Sequence, residues 1–300
     1  MKELCVVHLI RAQNGIEPFR CFLESYRANP AGIEHDLLVV FKGFERPSDK
    51  YPYTQLLSPF QYLDIDVPDI GFDLNAYFAG AKQYSRQYRY FCFLNSFSVI
   101  LCHDWLNKLY KHITRPGVGL VGATGSWLSL NRWGRILQRR KMWLNGNSSE
   151  GGRKLSFLEQ VNYMMGVIWR LFSFPFFFKS FPNYHLRTNA FMISGEFMIK
   201  LAQPTIETKL DAYKFESGKK GLTRQILNMG ADVLVVGKDG VGYEMKFWNI
   251  SKTFWQAKQE NLLVADNQTR SYQNGSLERR RYLTIVAWGI KSESPSETIA

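Results

Sequence analysis

Short apolar runs separated by segments of helical periodicity recur from the start of this 300-residue chain, and few architectures accommodate that alternation. Residues 4–10 (LCVVHLI), 37–41 (LLVVF), 61–65 (QYLDI), 90–94 (YFCFL) and 118–123 (VGLVGA) have the length and residue types of strands, the first apolar but for His8. A run without polar alternation is what a strand covered on both faces requires. Between the first two, Asn14 offers an N-cap with Glu17 three residues on. Pro18 is tolerated in the first turn, and Ile16, Phe19, Phe22 and Tyr26 recur at helical spacing. Residues 43–60 read as a Pro-containing loop. A second helix is expected from near Phe72, with Ala76, Ala79 and Gly80 as a small-residue stripe, and a third carries Trp105, Leu106, Leu109, Tyr110 and Ile113 up to Pro116-Gly117. Strand, helix and strand in succession predict an α/β fold with parallel pairing and right-handed crossovers, of the doubly wound kind that receives ligands outside the carboxyl ends of its strands.

The pattern changes at 126–187. Trp127, Leu128, Trp133, Ile136, Leu137, Met142 and Trp143 interleave with Arg132, Arg135, Arg139, Arg140 and Lys141, followed by a loop-like NGNSSEGG (145–152) and a second aromatic stretch over 157–178. Such a segment suits a helix lying on an anionic membrane, or a helical subdomain with solvated arginines. Regular structure resumes with a strand over 189–194, a short helix over 196–201, a helix with Leu222, Ile226 and Met229 on one face that Gly230 stops, and a strand over 233–236. From 271 the chain reads as a polar tail. The expected division is 1–125, 126–187, 188–270 and 271–300.

Lys plus Arg exceed Asp plus Glu by 38 to 26, a formal charge of +12 that favours anionic partners. Cys5, Cys21, Cys92 and Cys102 show no metal or redox spacing and sit in or beside apolar stretches, consistent with a reducing, cytoplasmic setting. His8 and Arg11 interrupt the N-terminal apolar run, which is read as a strand rather than a leader. Arg170 and Pro175 break the longest greasy stretch, so no membrane-spanning anchor is expected.

Two motifs follow one another along the expected sheet edge: Gly71-Phe-Asp-Leu-Asn-Ala-Tyr77, opening the second helix, and Phe93-Leu-Asn-Ser96, closing the fourth strand. Together they resemble the GFD-x-GAY and L-N-D-S pair of bacterial rhamnan-synthesis-type and related glycosyltransferases of GT-A fold, with Asn75 where that family has Gly. The resemblance covers residues 4–125 and, loosely, 189–240. It implies a mixed, mostly parallel GT-A sheet flanked by helices, with the aromatic and basic stretch as an insertion. It also implies transfer of a hexosyl or deoxyhexosyl group, with inversion, from a nucleotide-sugar to a polysaccharide or lipid-linked glycan at the inner face of the membrane. Carried over, Asp73 would stand near the donor's base or ribose, and Asn95 with Ser96 near its ribose and diphosphate. Arg11 and Asn14 after the first strand, Lys42 after the second, and Asp64 and Asp66 on the third are further donor contacts.

GT-A enzymes usually carry Asp-x-Asp after the fourth strand to hold a divalent cation. Asn95-Ser96 there implies weakly held Mg2+ or Mn2+, or none, with Asn95 and His185 the candidate ligands. The literal Asp64-Ile-Asp66 comes one strand early. Glu216, in Phe215-Glu-Ser-Gly-Lys-Lys-Gly221 ahead of a helix, matches the position of the family's base. Lys219, Lys220, Arg224 and Arg187 are candidate phosphate or acceptor contacts.

Other classes fit less well. Arg11-Ala-Gln-Asn-Gly15 is no dinucleotide fingerprint, there is no P-loop, and no zinc spacing occurs. Nucleic-acid binding suits the charge, but the basic residues cluster in the insertion rather than on a recognition element, and no nucleic-acid partner is expected. A catalytically inert, membrane-associated scaffold retaining the fold is the other alternative.

Overall fold

A computed structural model of the protein describes residues 2–131 and 172–289. In chain order its strands are β1 (Lys2–Arg11), β2 (Asp36–Lys42), β3 (Leu63–Val67), β4 (Tyr88–Leu94), β5 (Val99–Ile100), β6 (Val118–Gly122), β7 (Gly125–Ser126), β8 (His185–Leu186), β9 (Ala190–Ser194), β10 (Asp232–Val236), β11 (Gly242–Glu244) and β12 (Val264–Ala265). Eight of them form one sheet in the order β11-β10-β6-β9-β4-β1-β2-β3. The β1–β2, β2–β3, β1–β4 and β6–β10 pairs are parallel, whereas β9 runs antiparallel between β4 and β6. The sheet is thus mixed and mostly parallel, as the resemblance to the GT-A fold implies. Its reversed strand brings Thr188 and Asn189 to the edge where β1, β2 and β4 end.

Strand alternation divides the interior into two layers. Cys5, Val7 and Leu9 of β1 face helix α3 (Phe72–Tyr84) with Phe91, Phe93, Phe191 and Ile193. Leu4, Val6 and Ile10 face the opposite layer, where α1 (Glu17–Ala28) contributes Phe19 and Phe22 and α4 (Trp105–Ile113) contributes Trp105, Leu106 and Leu109. The buried span of β1, residues 4–10, is apolar on both faces save His8, as expected for a strand with helices on either side.

Four local expectations are corrected. Asn14 does not cap α1: it belongs to a 3-10 turn over Ala12–Asn14, and the residue before the helix, Ile16, makes no capping bond. Residues 43–60 contain a helix, α2 (Tyr51–Leu57), with Pro52 in its first turn and Tyr53 and Leu57 buried four residues apart. A helix also forms over Lys209–Ser217, where Thr208 and Asp211 make a reciprocal capping box, so Glu216 lies in the last turn of one helix rather than in a loop before the next, Leu222–Asn228. Finally, residues 271–289 are not tail, while 290–300 lie outside the described residues. Helix Asn267–Gln273 is followed by helix Leu277–Trp288, capped by Ser276, whose hydroxyl accepts from Arg279 N, and ended by Gly289 in the left-handed region. The second helix reads as polar because its buried residues, Val286, Ala287 and Trp288, all fall in the final turn rather than along a stripe.

The insertion is tied at its base by the antiparallel β7–β8 pair, and Trp127 hydrogen-bonds to Met245 O and Ala287 O on the body of the protein. The proposed membrane-surface helix, with Arg132, Arg135, Arg139, Arg140 and Lys141, lies outside the described residues. Among the described residues no helix is long and apolar enough to cross a membrane.

Candidate active site

The carboxyl ends of β1 and β2 place Arg11 beside Lys42 in register. Arg11 makes a two-pronged ion pair with Asp69, Nε to Oδ1 at 2.8 Å and Nη2 to Oδ2 at 2.9 Å, which holds the Asp69 carboxyl below its usual range. The Lys42 side chain is only 1% exposed. Its ammonium donates to Ile70 O at 2.9 Å and to Phe72 O, and lies 3.9 Å from Asp69. Burial lowers its pKa. Lys42 is therefore turned inward as a clamp on the 69–72 turn, and it shapes the wall that delivers Asp73 rather than standing free for a ligand.

That turn has an unusual backbone. Gly71 and Phe72 both have positive φ, +72° and +51°. A Cβ at position 71 would fall 1.7 Å from Asn75 Nδ2, so the amide side chain of Asn75 folds back over Gly71 and is accommodated only because that residue is glycine. The consequence is a helix start at which Asp73 is half-buried and faces the sheet edge. Burial raises the Asp73 carboxyl pKa, Lys42 and Arg11 oppose the rise, and Glu216 and Asp69 add to it.

One turn along α3, Tyr77 is almost wholly buried and packs on Phe93 at 4.9 Å between ring centroids and on Phe191 at 5.9 Å. Asn95 directly follows β4, at the carboxyl edge of the sheet where α3 also begins. The loop after β4 is tightly wound: Asn95 Oδ1 accepts from Phe97 N and from Ser98 Oγ, both at 3.1 Å, while Asn95 N donates to Asn189 O at 3.0 Å. Asn189 Oδ1 accepts from Thr124.

Across this edge stands Glu216. It is half-buried, and Thr188 Oγ1 donates to its Oε2 at 3.0 Å. Burial pushes the Glu216 carboxyl up; Arg187 and the Thr188 bond work against that, and Asp266 adds to it. Arg187 Nη2 lies 3.2 Å from Asp266 Oδ2, and its guanidinium stacks over Phe254 at 4.2 Å. Asp266, 1% exposed, also caps helix Asn267–Gln273 through its other oxygen, which accepts from Thr269 N at 2.8 Å. From the same segment, Arg270 reaches Phe97 O at 3.1 Å, and β12 pairs with β5, so residues 264–270 lie against the loop after β4.

Five buried polar atoms here make no hydrogen bond: Tyr77 Oη, Ser96 Oγ, Arg187 Nη1, Asn189 Nδ2 and Asp266 Oδ2, the last held by charge alone. Buried groups are normally satisfied, so each of these five has capacity that water or a polar ligand would complete. Tyr77 feels the charges of Asp73, Glu216 and Asp266 together, and after burial these hold its hydroxyl pKa well above the usual value.

The remaining candidates fall elsewhere. Asp64 and Asp66 are exposed on the outermost strand, on the face opposite Ile65, with Asp66 ion-paired to Lys50. Lys219 donates to Pro175 O at 2.7 Å and borders a separate cleft of about 370 Å3 with Asn131, Phe178 and Lys179. Lys220 is exposed, and burial lowers the Arg224 pKa. Another groove, of about 650 Å3, runs beside α1 and is bounded by Phe97 and Arg270. Asn14 is half-buried in its 3-10 turn.

Of the two candidate metal ligands among the described residues, the Asn95 carbonyl oxygen is already engaged by Phe97 N and Ser98 Oγ, whereas His185, kept neutral by burial with a pKa of about 4, turns Nδ1 to Asn183 O at 2.8 Å and so leaves Nε2 as the nitrogen that could meet a cation. Among the described residues no group of three or more His, Cys, Asp or Glu is placed to hold a metal ion.

Tyr77, Thr188, Asn189 and Asp266 are members of the cluster that residue patterns left unassigned. Tyr77 closes the GFDLNAY motif, and Asp266-Asn-Gln-Thr269 has the form of a helix cap, which gives no hint of a second carboxylate oxygen aimed at Arg187.

Neither a protein-family model nor a curated protein sequence matches the chain. Solved structures do. The mannosyltransferase PcManGT from Pyrobaculum calidifontis, in complex with GDP-Man and Mn2+, superposes with a TM-score of 0.43 at 12% identity over 94% of this chain and 64% of its own. TarS from S. aureus gives 0.43 at 11% identity over 78% of this chain and 35% of its own. A 4-diphosphocytidyl-2C-methyl-D-erythritol synthase from Anaerococcus prevotii gives 0.42 at 10% identity over 81% and 92%. The chain thus spans under two thirds of the length of the mannosyltransferase, and at these scores the likenesses are loose and carry nothing about substrate.

Proposed function

We propose that the protein is a glycosyltransferase that binds a nucleotide-sugar at the carboxyl edge of β1, β2 and β4 and transfers the sugar by direct displacement. The observation that supports this is the meeting, at one edge of the sheet, of Asp73 and the Asn95-Ser96 loop with Glu216 and a set of unsatisfied polar atoms. Ligands of open α/β sheets bind at this edge.

In this reading Asp73 and the loop after β4 contact the nucleoside and diphosphate. Glu216, its carboxyl oriented by Thr188, takes the proton of an acceptor hydroxyl as that oxygen bonds to the anomeric carbon. The bond from that carbon to the phosphate oxygen breaks, and the diphosphate leaves with the electron pair. A base with a raised pKa suits proton removal near neutrality. Arg187 is the fixed cation most strongly felt at Glu216 and a stabiliser for the departing charge.

The acceptor class in this proposal is a polysaccharide or lipid-linked glycan, reached at an anionic membrane surface. A hexosyl or deoxyhexosyl donor, inversion at the anomeric carbon and a cytoplasmic, membrane-peripheral site complete it. The excess of 38 basic over 26 acidic residues favours both diphosphate and anionic surface. The test is incubation with a panel of nucleotide-sugars, with and without glycan acceptors in anionic vesicles, following released nucleoside diphosphate. One donor should be turned over, and Glu216→Gln should lower its kcat by roughly 10²–10⁴-fold with donor affinity kept. Full turnover by that variant would remove Glu216 from the base role.

A further inference from the structure

We infer that Asp266 is a positioning residue for Glu216, acting through Arg187, so that the C-terminal segment sets the pH range in which the proposed base works. The inference rests on the base reading of Glu216 given above. Its foundation is a chain of contacts across three separate stretches of sequence. Thr188 Oγ1 donates to Glu216 Oε2 at 3.0 Å. The next residue back, Arg187, faces Asp266 at 3.2 Å while its guanidinium carbon sits over the Phe254 ring, 4.2 Å from the centroid. Asp266 cannot turn away, because its other oxygen and its backbone are held in the Asp266–Thr269 capping box.

The pairing is an unusual one. Arg187 Nη2 and Asp266 Oδ2 attract by charge, yet Asp266 Oδ2 accepts no hydrogen bond and Arg187 Nη1 donates none. An ion pair built only for stability would use those atoms, since paired, fully hydrogen-bonded geometry is what compensates burial of two charges. This geometry instead fixes the guanidinium while leaving one of its ends open. Asp266 neutralises Arg187 where a bare cation would pull the Glu216 carboxyl down and make it a weaker base.

The charged and titratable groups around Glu216 come from every element packed on it: Arg187 beside β8, Asp266 at the cap of helix Asn267–Gln273, and Asp73 and Tyr77 on α3. Of these, Arg187 and Asp266 have opposite effects, and their removal must move the base in opposite directions.

The experiment is the pH profile of kcat/KM, with the best donor, for the full chain and for Asp266→Asn, Arg187→Met and Glu216→Gln, each checked for folding by circular dichroism. Asn is as good a helix cap as Asp, so the first variant keeps the local fold. The acidic limb should move down in Asp266→Asn and up in Arg187→Met, each by about half to one pH unit. A residue that merely braces the fold would lower the rate without moving the limb. Limbs that stay put, or that move the same way in both variants, overturn the inference even if Glu216→Gln is inactive. A fully active Glu216→Gln overturns the base reading itself. Should Asp266→Asn not fold, the Asp266→Asn, Arg187→Met double variant, which buries no lone charge, decides: a limb equal to that of Arg187→Met alone supports action through Arg187, and a limb below it overturns the inference.

Discussion

His8 is the one polar side chain in the fully buried body of β1. Its ring stacks on Phe22 with centroids 3.6 Å apart and on Phe19 at 5.7 Å, and neither ring nitrogen has a partner. Burial alone drops its pKa to about 3, and His185, also buried, falls to about 4. Both are neutral in the folded protein. Below about pH 6.5 the unfolded chain takes up protons that the folded chain refuses, so stability is complete above that pH and is lost as pH falls toward 3. The loss is on the order of a few kcal/mol. Urea unfolding at pH 7 and pH 4.5 should show it, and His8→Leu, which removes two unsatisfied nitrogens, should reduce the difference by about half, His185 carrying the rest. An equal loss in the variant would place the acid sensitivity elsewhere. Lys42 shows the same economy in reverse: a residue that looks like a ligand contact is committed to two backbone carbonyls, and a strand-end position does not reveal which way the side chain turns.

At the scale of the element, helix Leu277–Trp288 is the part least visible in the residue pattern and among the most consequential for the site. Trp288 is buried, donates to Phe254 O at 2.8 Å, and meets Trp127 at 5.7 Å. It therefore supports the residue on which Arg187 stacks. Trp288→Ala should cost about 3–5 kcal/mol in urea unfolding, and the donor KM of the folded fraction should rise. A cost below 1 kcal/mol would mean that the helix is only appended. The strands β1, β2, β4, β6, β9 and β10 were legible because both faces are covered and nearly every residue is apolar, and α1, α3 and α4 were legible from helical spacing. The short helices Tyr51–Leu57 and Lys209–Ser217 were not, because each buries only two residues and periodicity has nothing to act on.

For the whole molecule, the discriminating question is whether the sheet edge is a working pocket or a relic on a scaffold. A ligand that binds only the folded state adds about 2.7 kcal/mol of stability at one hundred times its dissociation constant, and for a chain of this size that corresponds to a Tm rise of roughly 5 °C. One nucleotide-sugar should produce this shift and chemically similar free sugars should not; the absence of a shift with every donor would favour the scaffold. The chain by itself determined the α/β class, the parallel pairing of the early strands and the positions of the GFDLNAY and FLNS motifs at a helix start and a strand end, because burial and strand period are local properties that a sequence carries openly. Only the tertiary structure decided that Lys42 turns inward, that Asp64 and Asp66 stand apart, that Glu216 ends one helix instead of preceding another, and that Asp266 returns from the C-terminal segment to face Arg187. Those outcomes depend on which residues, far apart in the chain, share the field and the desolvation of one small volume, and no single stretch of sequence encodes that.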